Sequence, residues 1–164
     1  MEMTQIVVFE LKGHEFGVDI KKVIEILNYE EIRPVPEVPA HIEGIINVRG
    51  IIYPVINLRR RLSMDLAENE KAGKIILLHL EKNKVGFLVD SVVEILNIDE
   101  MEVEQPPQLM DRKKSNCIDC IVKGKDNMII VLDVNTLISD EDNLFIQGVS
   151  NENNCSGYPE QREG

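Results

Sequence analysis

Val23-Ile24-Glu25-Ile26-Leu27-Asn28 returns 69 residues later as Val92-Val93-Glu94-Ile95-Leu96-Asn97, identical at five of six positions. The same offset carries Ile6 onto Ile75, Leu11 onto Leu80 and Gly17 onto Gly86. A longer offset of 76 carries Ile52-Tyr53-Pro54-Val55-Ile56-Asn57-Leu58 onto Met128-Ile129-Ile130-Val131-Leu132-Asp133-Val134. Each copy runs hairpin, short helical or extended piece, strand, loop, hairpin, helical turn. Short apolar strands match by accident, but a glycine followed at fixed distance by V-x-E-I-L-N is a far stronger signal. Two copies are too few for a solenoid. Units of about five strands fit small closed barrels, because closure removes the edges that an isolated meander exposes. The expected fold is therefore mainly β: two similar five-stranded barrels packed together, with short helical turns. Barrel one is expected mainly over 13–64 and barrel two mainly over 74–130, with the termini completing them and residues 65–73 between. The domain is expected to span 1–145.

The individual runs support strands. Ile6-Val7-Val8-Phe9 reaches Phe16-Gly17-Val18 through Lys12-Gly13-His14, and Ile45-Ile46-Asn47-Val48 reaches Ile51 to Ile56 through Arg49-Gly50. Ile75 to Leu78 pairs with Val85 to Val89, and Cys117 to Val122 with Met128 to Leu132. Runs this short, rich in β-branched residues and bounded by turn residues, favour strands over helices. Asp19 to Ile26 can carry one helical turn before a strand, and Asp133 looks like the cap of a short helix. Pro34, Pro36 and Pro39 should keep residues 33–39 extended, with a helical turn over Ala40 to Glu43. Residues 146–164 offer too little apolar surface to order themselves and are expected to be a disordered tail.

Charge narrows the function. The 164 residues hold 29 acidic and 18 basic side chains, a net −11. Residues 1–62 carry 8 basic and 9 acidic side chains, residues 63–164 carry 10 and 20. Such a balance argues against gripping a nucleic-acid backbone or an anionic membrane surface. Arg59-Arg60-Arg61 is the one dense basic run; it reads as a solvated helix end, or as a cluster for a partner's carboxylate. Four Phe, three Tyr and no Trp leave little for base stacking. No apolar run approaches the ~20 residues of a membrane helix. No cationic stretch precedes an apolar one at the N-terminus, so a cytoplasmic protein is expected.

No catalytic pattern emerges. His14, His41 and His79 have no carboxylate or cysteine at metal-ligand spacing. Cys117 and Cys120 have C-x-x-C spacing, but one pair supplies only two ligands, and a redox pair should open a helix. Here the pair lies in or beside a strand. No metal, cofactor or catalytic residue is expected, so the chain reads as a binding protein. A small-barrel interaction module and, less well supported, a nucleic-acid-binding small barrel are the alternatives.

The run Ile42-Glu43-Gly44-Ile45-Ile46-Asn47-Val48-Arg49-Gly50-Ile51-Ile52-Tyr53-Pro54-Val55-Ile56-Asn57-Leu58 resembles the signature of CheW-like domains, I-x-G-x-x-N-x-R-G-x-x-x-P-x-x-x-L. Phe16-Gly17-Val18-Asp19-Ile20 through Ile26, and Val85-Gly86-Phe87-Leu88-Val89-Asp90-Ser91-Val92, resemble two further motifs of that family. The resemblance spans residues 4 to about 140. It implies two five-stranded SH3-like barrels and a non-enzymatic adaptor that couples methyl-accepting chemoreceptors to the histidine kinase CheA. It places the protein in the cytoplasm, recruited to membrane-associated receptor arrays without inserting into the membrane. It also places Val23, Glu25, Asn47 and Arg49 near a groove for the helical receptor tips. Ile52 and Ile75 are candidates for contact with the kinase's regulatory domain, itself CheW-like. Gly44 and Gly50 are expected to serve backbone geometry. Arg49, beside a tight turn, can either pin one barrel against the other or project to a partner.

Overall fold

The structure, a computed structural model, describes residues 4–81, 83–98, 102–105, 117–124, 127–138, 142, 145, 146, 148 and 149. β1 (Gln5–Leu11) and β2 (His14–Asp19) form an antiparallel hairpin. A single 3₁₀ turn, Ile20–Lys22, follows, held by the Asp19 carboxylate accepting the Lys21 N–H at 3.0 Å. It delivers the chain into β3 (Val23–Asn28). The hairpin of β4 (Ile42–Val48) and β5 (Ile51–Asn57) ends in a one-turn helix, α1 (Leu58–Arg61), capped by the Asn57 side chain. β6 (Lys74–His79) and β7 (Lys84–Val89) form the next hairpin, followed by β8 (Ser91–Asn97) and a short β9 (Glu102–Glu104). β10 (Ile118–Lys123) and β11 (Met128–Leu132) close the series before α2 (Val134–Leu137), capped by Asp133.

The fold is mainly β, in two sheets, and the repeat is visible in its details. β1, β2, β3, β4, β5 and α1 correspond to β6, β7, β8, β10, β11 and α2. Even the irregularities correspond. Bulges fall between Val23 and Glu25 against β6, and at the matching place where Val92 and Glu94 face β1. Others fall between Ile42 and Gly44 and between Ile118 and Cys120. The Asn57 N–H donates to the His41 carbonyl at 2.8 Å, and the Asp133 N–H to that of Cys117 at 2.9 Å.

The sheets, however, are not the two halves of the chain. The six-stranded sheet runs β8-β1-β2-β11-β10-β9 and the five-stranded sheet β3-β6-β7-β5-β4. Each copy thus lends its first hairpin to the other: β1–β2 joins the strands of residues 91–132, and β6–β7 joins those of residues 23–57. The division at 13–64 and 74–130 therefore does not follow the sheets. Three smaller corrections accompany this. Ile42 and Glu43 are strand, not helical turn. The extended course of 33–39 breaks at a turn through Pro36 and Glu37, whose φ is +59°. Ile146 is fully buried in the main core, so the ordered chain passes the expected boundary at 145; residues 150–164 lie outside the described residues.

The main core sits between the sheets, joining Val7, Phe9 and Val18 of one to Ile76, Leu78 and Phe87 of the other. Gly17 and Gly86 recur for a packing reason: a Cβ would lie 2.9 Å from Ile6 Cδ1 at the first and 3.1 Å from Ile75 Cγ2 at the second. Both glycines lie on the strands that pair in parallel with the other copy's final strand, Gly17 opposite Val131 and Gly86 opposite Val55.

A polar clamp also ties the sheets together, and it absorbs the basic run. Arg59, largely buried, binds Asp90 through Nε (2.9 Å) and Nη2, and its Nη1 donates to the Asp65 carbonyl. The Lys12 N–H, in the β1–β2 turn, also donates to Asp90, at 2.9 Å. Arg60 pairs with Glu43, and Arg61 Nε donates to the Leu137 carbonyl at 2.8 Å. The run is therefore engaged within the molecule, not a solvated helix end. Burial pushes the Asp90 carboxyl upward, but the Arg59 and Lys12 hydrogen bonds and the guanidinium charge outweigh it and leave its pKa below the usual range. A carboxylate depressed in the folded state contributes stability above its unfolded pKa of about 3.9 and loses it as pH falls through the folded value. Asp90→Asn should therefore lower stability near pH 7 by about 2 kcal/mol and flatten the acid limb. Urea midpoints at pH 7 and pH 3 check this; equal losses at both would refute the linkage.

Candidate functional site

The surface residues brought forward by the sequence gather on the five-stranded sheet. Arg49 and Gly50 are the two central residues of the β4–β5 turn, with φ of +52° and +89°. That pairing of left-handed residues suits a two-residue hairpin, and glycine at the second position removes the Cβ cost. Asn47 is part of the same device: its Oδ1 accepts the Gly50 N–H at 2.9 Å. From this rigid corner Arg49, whose side chain is 70% exposed, reaches Glu25 on β3 and forms an ion pair.

That pair is informative because β3 and β4 stand at opposite ends of the sheet order. A second link joins the same edges, where Arg33, beyond β3, exchanges two backbone hydrogen bonds of 2.9 Å with Ile45. The sheet is curled until its edges meet. Arg49 thus pairs within one sheet, and an inter-sheet clamp, one of the two roles open to it, is made by Arg59. Tyr53 lies buried nearby, and its burial raises the phenol pKa against the opposing pull of Arg49.

β3 carries the neighbouring surface. Val23 packs against the main core and Leu27 against the core of its own sheet, while Ile24 and Ile26 stand 40% and 38% exposed. These two isoleucines were not legible as surface, because V-I-E-I-L-N is apolar on both faces and gives no period-2 contrast. Their counterparts on β8, Val93 and Ile95, are also exposed. Ile52 is half-buried and lines an open groove of about 520 Å³ with Asn47, Ile45, Arg33 and Glu30. Ile75 is not on this surface. It is fully buried, packed with Ile46, Tyr53, Val55 and Leu77, and cannot contact a partner. Gly44 has φ of +151°, and a Cβ there would overlap the Arg33 carbonyl oxygen.

The histidines and cysteines considered for chemistry sit in structural surroundings. Burial pushes the Cys120 thiol up to about 11, so it is not a reactive thiolate at neutral pH. His79 faces the Lys21 carbonyl at 3.0 Å, and His41 faces the buried Asp142. No three potential metal ligands cluster among the described residues. No helix there is long and apolar enough to cross a membrane.

A paired-edge sheet carrying an exposed ion pair, flanked by apolar strand residues and a shallow groove, defines a protein-interaction scaffold. The chain belongs to the CheW-like domain family, whose match covers residues 5–142. It is 32% identical over 145 residues to the chemotaxis protein CheW of Treponema pallidum, covering 86% of this chain and 85% of that one. It is 29% identical over 137 residues to the chemotaxis protein CheW of Bacillus subtilis, covering 84% and 88%. Among solved structures, the scaffolding protein TtCheW of Thermoanaerobacter tengcongensis matches with a TM-score of 0.74 at 35% identity, over 85% of this chain and 94% of that one. With that membership goes the function of a chemotaxis coupling adaptor; neither a nucleic-acid role nor another pathway is favoured.

Proposed function

We propose that this chain couples chemoreceptor tips to the histidine kinase CheA in cytoplasmic arrays at the membrane, with different parts of the five-stranded sheet facing the two partners. The β3 edge, with Val23 and the Glu25–Arg49 pair, is the receptor-facing part. The groove at Ile52 is the kinase-facing part. The observation that carries this reading is the Glu25–Arg49 pair itself: an exposed ion pair joining the two edges of one sheet beside apolar residues that the core does not use. An isolated surface pair contributes little to stability, so a role in presenting a surface accounts better for its presence. Receptor tips are helical hairpins, and a helix lying against an apolar groove is a familiar mode of recognition.

The test is binding of the full chain to the cognate kinase regulatory domain. Ile52→Glu should weaken that affinity at least about tenfold, since a carboxylate would be buried against an apolar partner surface, while leaving the melting temperature unchanged. Absence of wild-type binding at tens of micromolar would sink the kinase assignment, and unchanged affinity in the variant would remove Ile52 from it.

A further inference from the structure

We infer that the groove between the end of α1 and strands β2, β10 and β11 is an additional docking surface. Its occupant would be a short partner segment with a carboxylate one helical turn ahead of an apolar pair. The groove shares no residue with the Glu25–Arg49 edge or the Ile52 groove, so the inference goes beyond the coupling role above.

The molecule supplies its own template. The chain leaving α2 sends Asp142 to His41, at 2.8 and 2.9 Å from its Nε2, and buries Ile146 in the main core with Phe145 packed beside it. Under the repeat, His41 corresponds to Cys117, Ile138 to Leu62 and Ile56 to Leu132. The chain leaving α1 takes another course: it turns at Ser63, with φ of +61°, and runs on to β6. Among the described residues, the corresponding surface is therefore an open groove of about 460 Å³, lined by Phe16, Leu62, Met64, Cys117 and Ile130.

Charge selects the occupant. Arg61 stands in the groove wall, its Nε held by the Leu137 carbonyl, and it has no carboxylate partner among the described residues. A carboxylate beside apolar side chains therefore matches the wall, as Asp142 with Phe145 and Ile146 matches the occupied side. One acid suits one cation, whereas a strongly acidic segment would be repelled by a chain of net charge −11.

Cys117 lines the groove and reports on it. The probe is a synthetic peptide of residues 142–150 with blocked ends, in which Asp142 is the one acidic side chain, added to the full chain while maleimide labelling of each cysteine is followed by mass spectrometry. At peptide concentrations ten times Kd, Cys117 labelling should slow about tenfold, with Cys155 labelling unchanged. Met64→Glu should abolish the protection, and Ile130→Glu serves the same purpose if the first variant folds poorly. A peptide carrying Asp142→Asn should protect several-fold less. Calorimetric titration of wild type and Met64→Glu gives a second readout. Unchanged Cys117 labelling together with no heat of binding at millimolar peptide would overturn the proposal. So would protection without peptide that disappears on removing residues 151–164, which assigns the groove to the chain's own terminus. Protection that rises with protein concentration alone would assign it to a second copy, and overturn it equally.

Discussion

Gly44→Ala is expected to destabilise the protein by about 3 kcal/mol, one of the largest effects of any single methyl group added to this chain. The residue sits in the β4 bulge at φ +151°, and its Cβ would overlap the Arg33 carbonyl. Relief requires parting Arg33 from Ile45, which gives up two backbone hydrogen bonds and opens the seam between the sheet's edges. Gly50 is the built-in comparison. It also has a positive φ, but a Cβ there meets nothing within 4 Å, so Gly50→Ala should cost only about 1 kcal/mol of backbone strain. For a domain of this size the Gly44 variant should melt about 10 °C below wild type. Equal melting temperatures for the two variants would show that the bulge relaxes freely and that the Arg33–Ile45 link holds nothing.

Arg49→Glu is expected to have the largest functional effect: loss of most receptor-stimulated kinase activity, with the melting temperature nearly unchanged because the pair is exposed. The substitution sets a carboxylate against Glu25 and drives the two edges apart where the receptor-facing surface is proposed. The double variant Arg49→Glu with Glu25→Arg separates the two roles open to this arginine. If the pair acts by holding the edges together, reversing both charges restores stimulation. If Arg49 presents its charge to a partner, the reversed pair keeps the fold and stays inactive. Reconstituted receptor–kinase complexes measure stimulation, and thermal melting run alongside measures folding. Full stimulation by the stable single variant would refute either role.

Much of this architecture was legible in the chain itself. The four main hairpins follow from β-branched runs broken by turn residues, and the Arg49–Gly50 corner follows from a residue pair that tolerates positive φ. The repeat is written in Gly17 and Gly86 and in the two V-x-E-I-L-N segments, although the reason for those glycines, the nearby Ile6 and Ile75, needed coordinates. Site residues were harder. Asn47 had a turn hydrogen bond to make, Ile75 had a core position to fill, and nothing local distinguishes either from a residue kept for a partner. The Arg59-Arg60-Arg61 run misled for a related reason: the Asp90 that engages Arg59 lies 31 residues away.

Local residue pattern is enough for two matching sets of strands, their hairpins and their apolar faces. Which set each first hairpin joins is settled by long-range packing. The two copies carry nearly the same pattern, so β3 could pair with β1 or with β6 as far as side-chain alternation is concerned. Connection length removes one of the possibilities. A single residue, Asp90, separates β7 from β8, and a hairpin needs at least about two residues to reverse. β8 therefore cannot fold back on β7 and pairs with β1 in the other sheet, while β3, three residues beyond β2, pairs with β6. The exchange places Asp90 at the crossing, within reach of Arg59 from one sheet and the Lys12 N–H from the other. Two β units, each with a small core of its own and joined by a larger shared one, are the result.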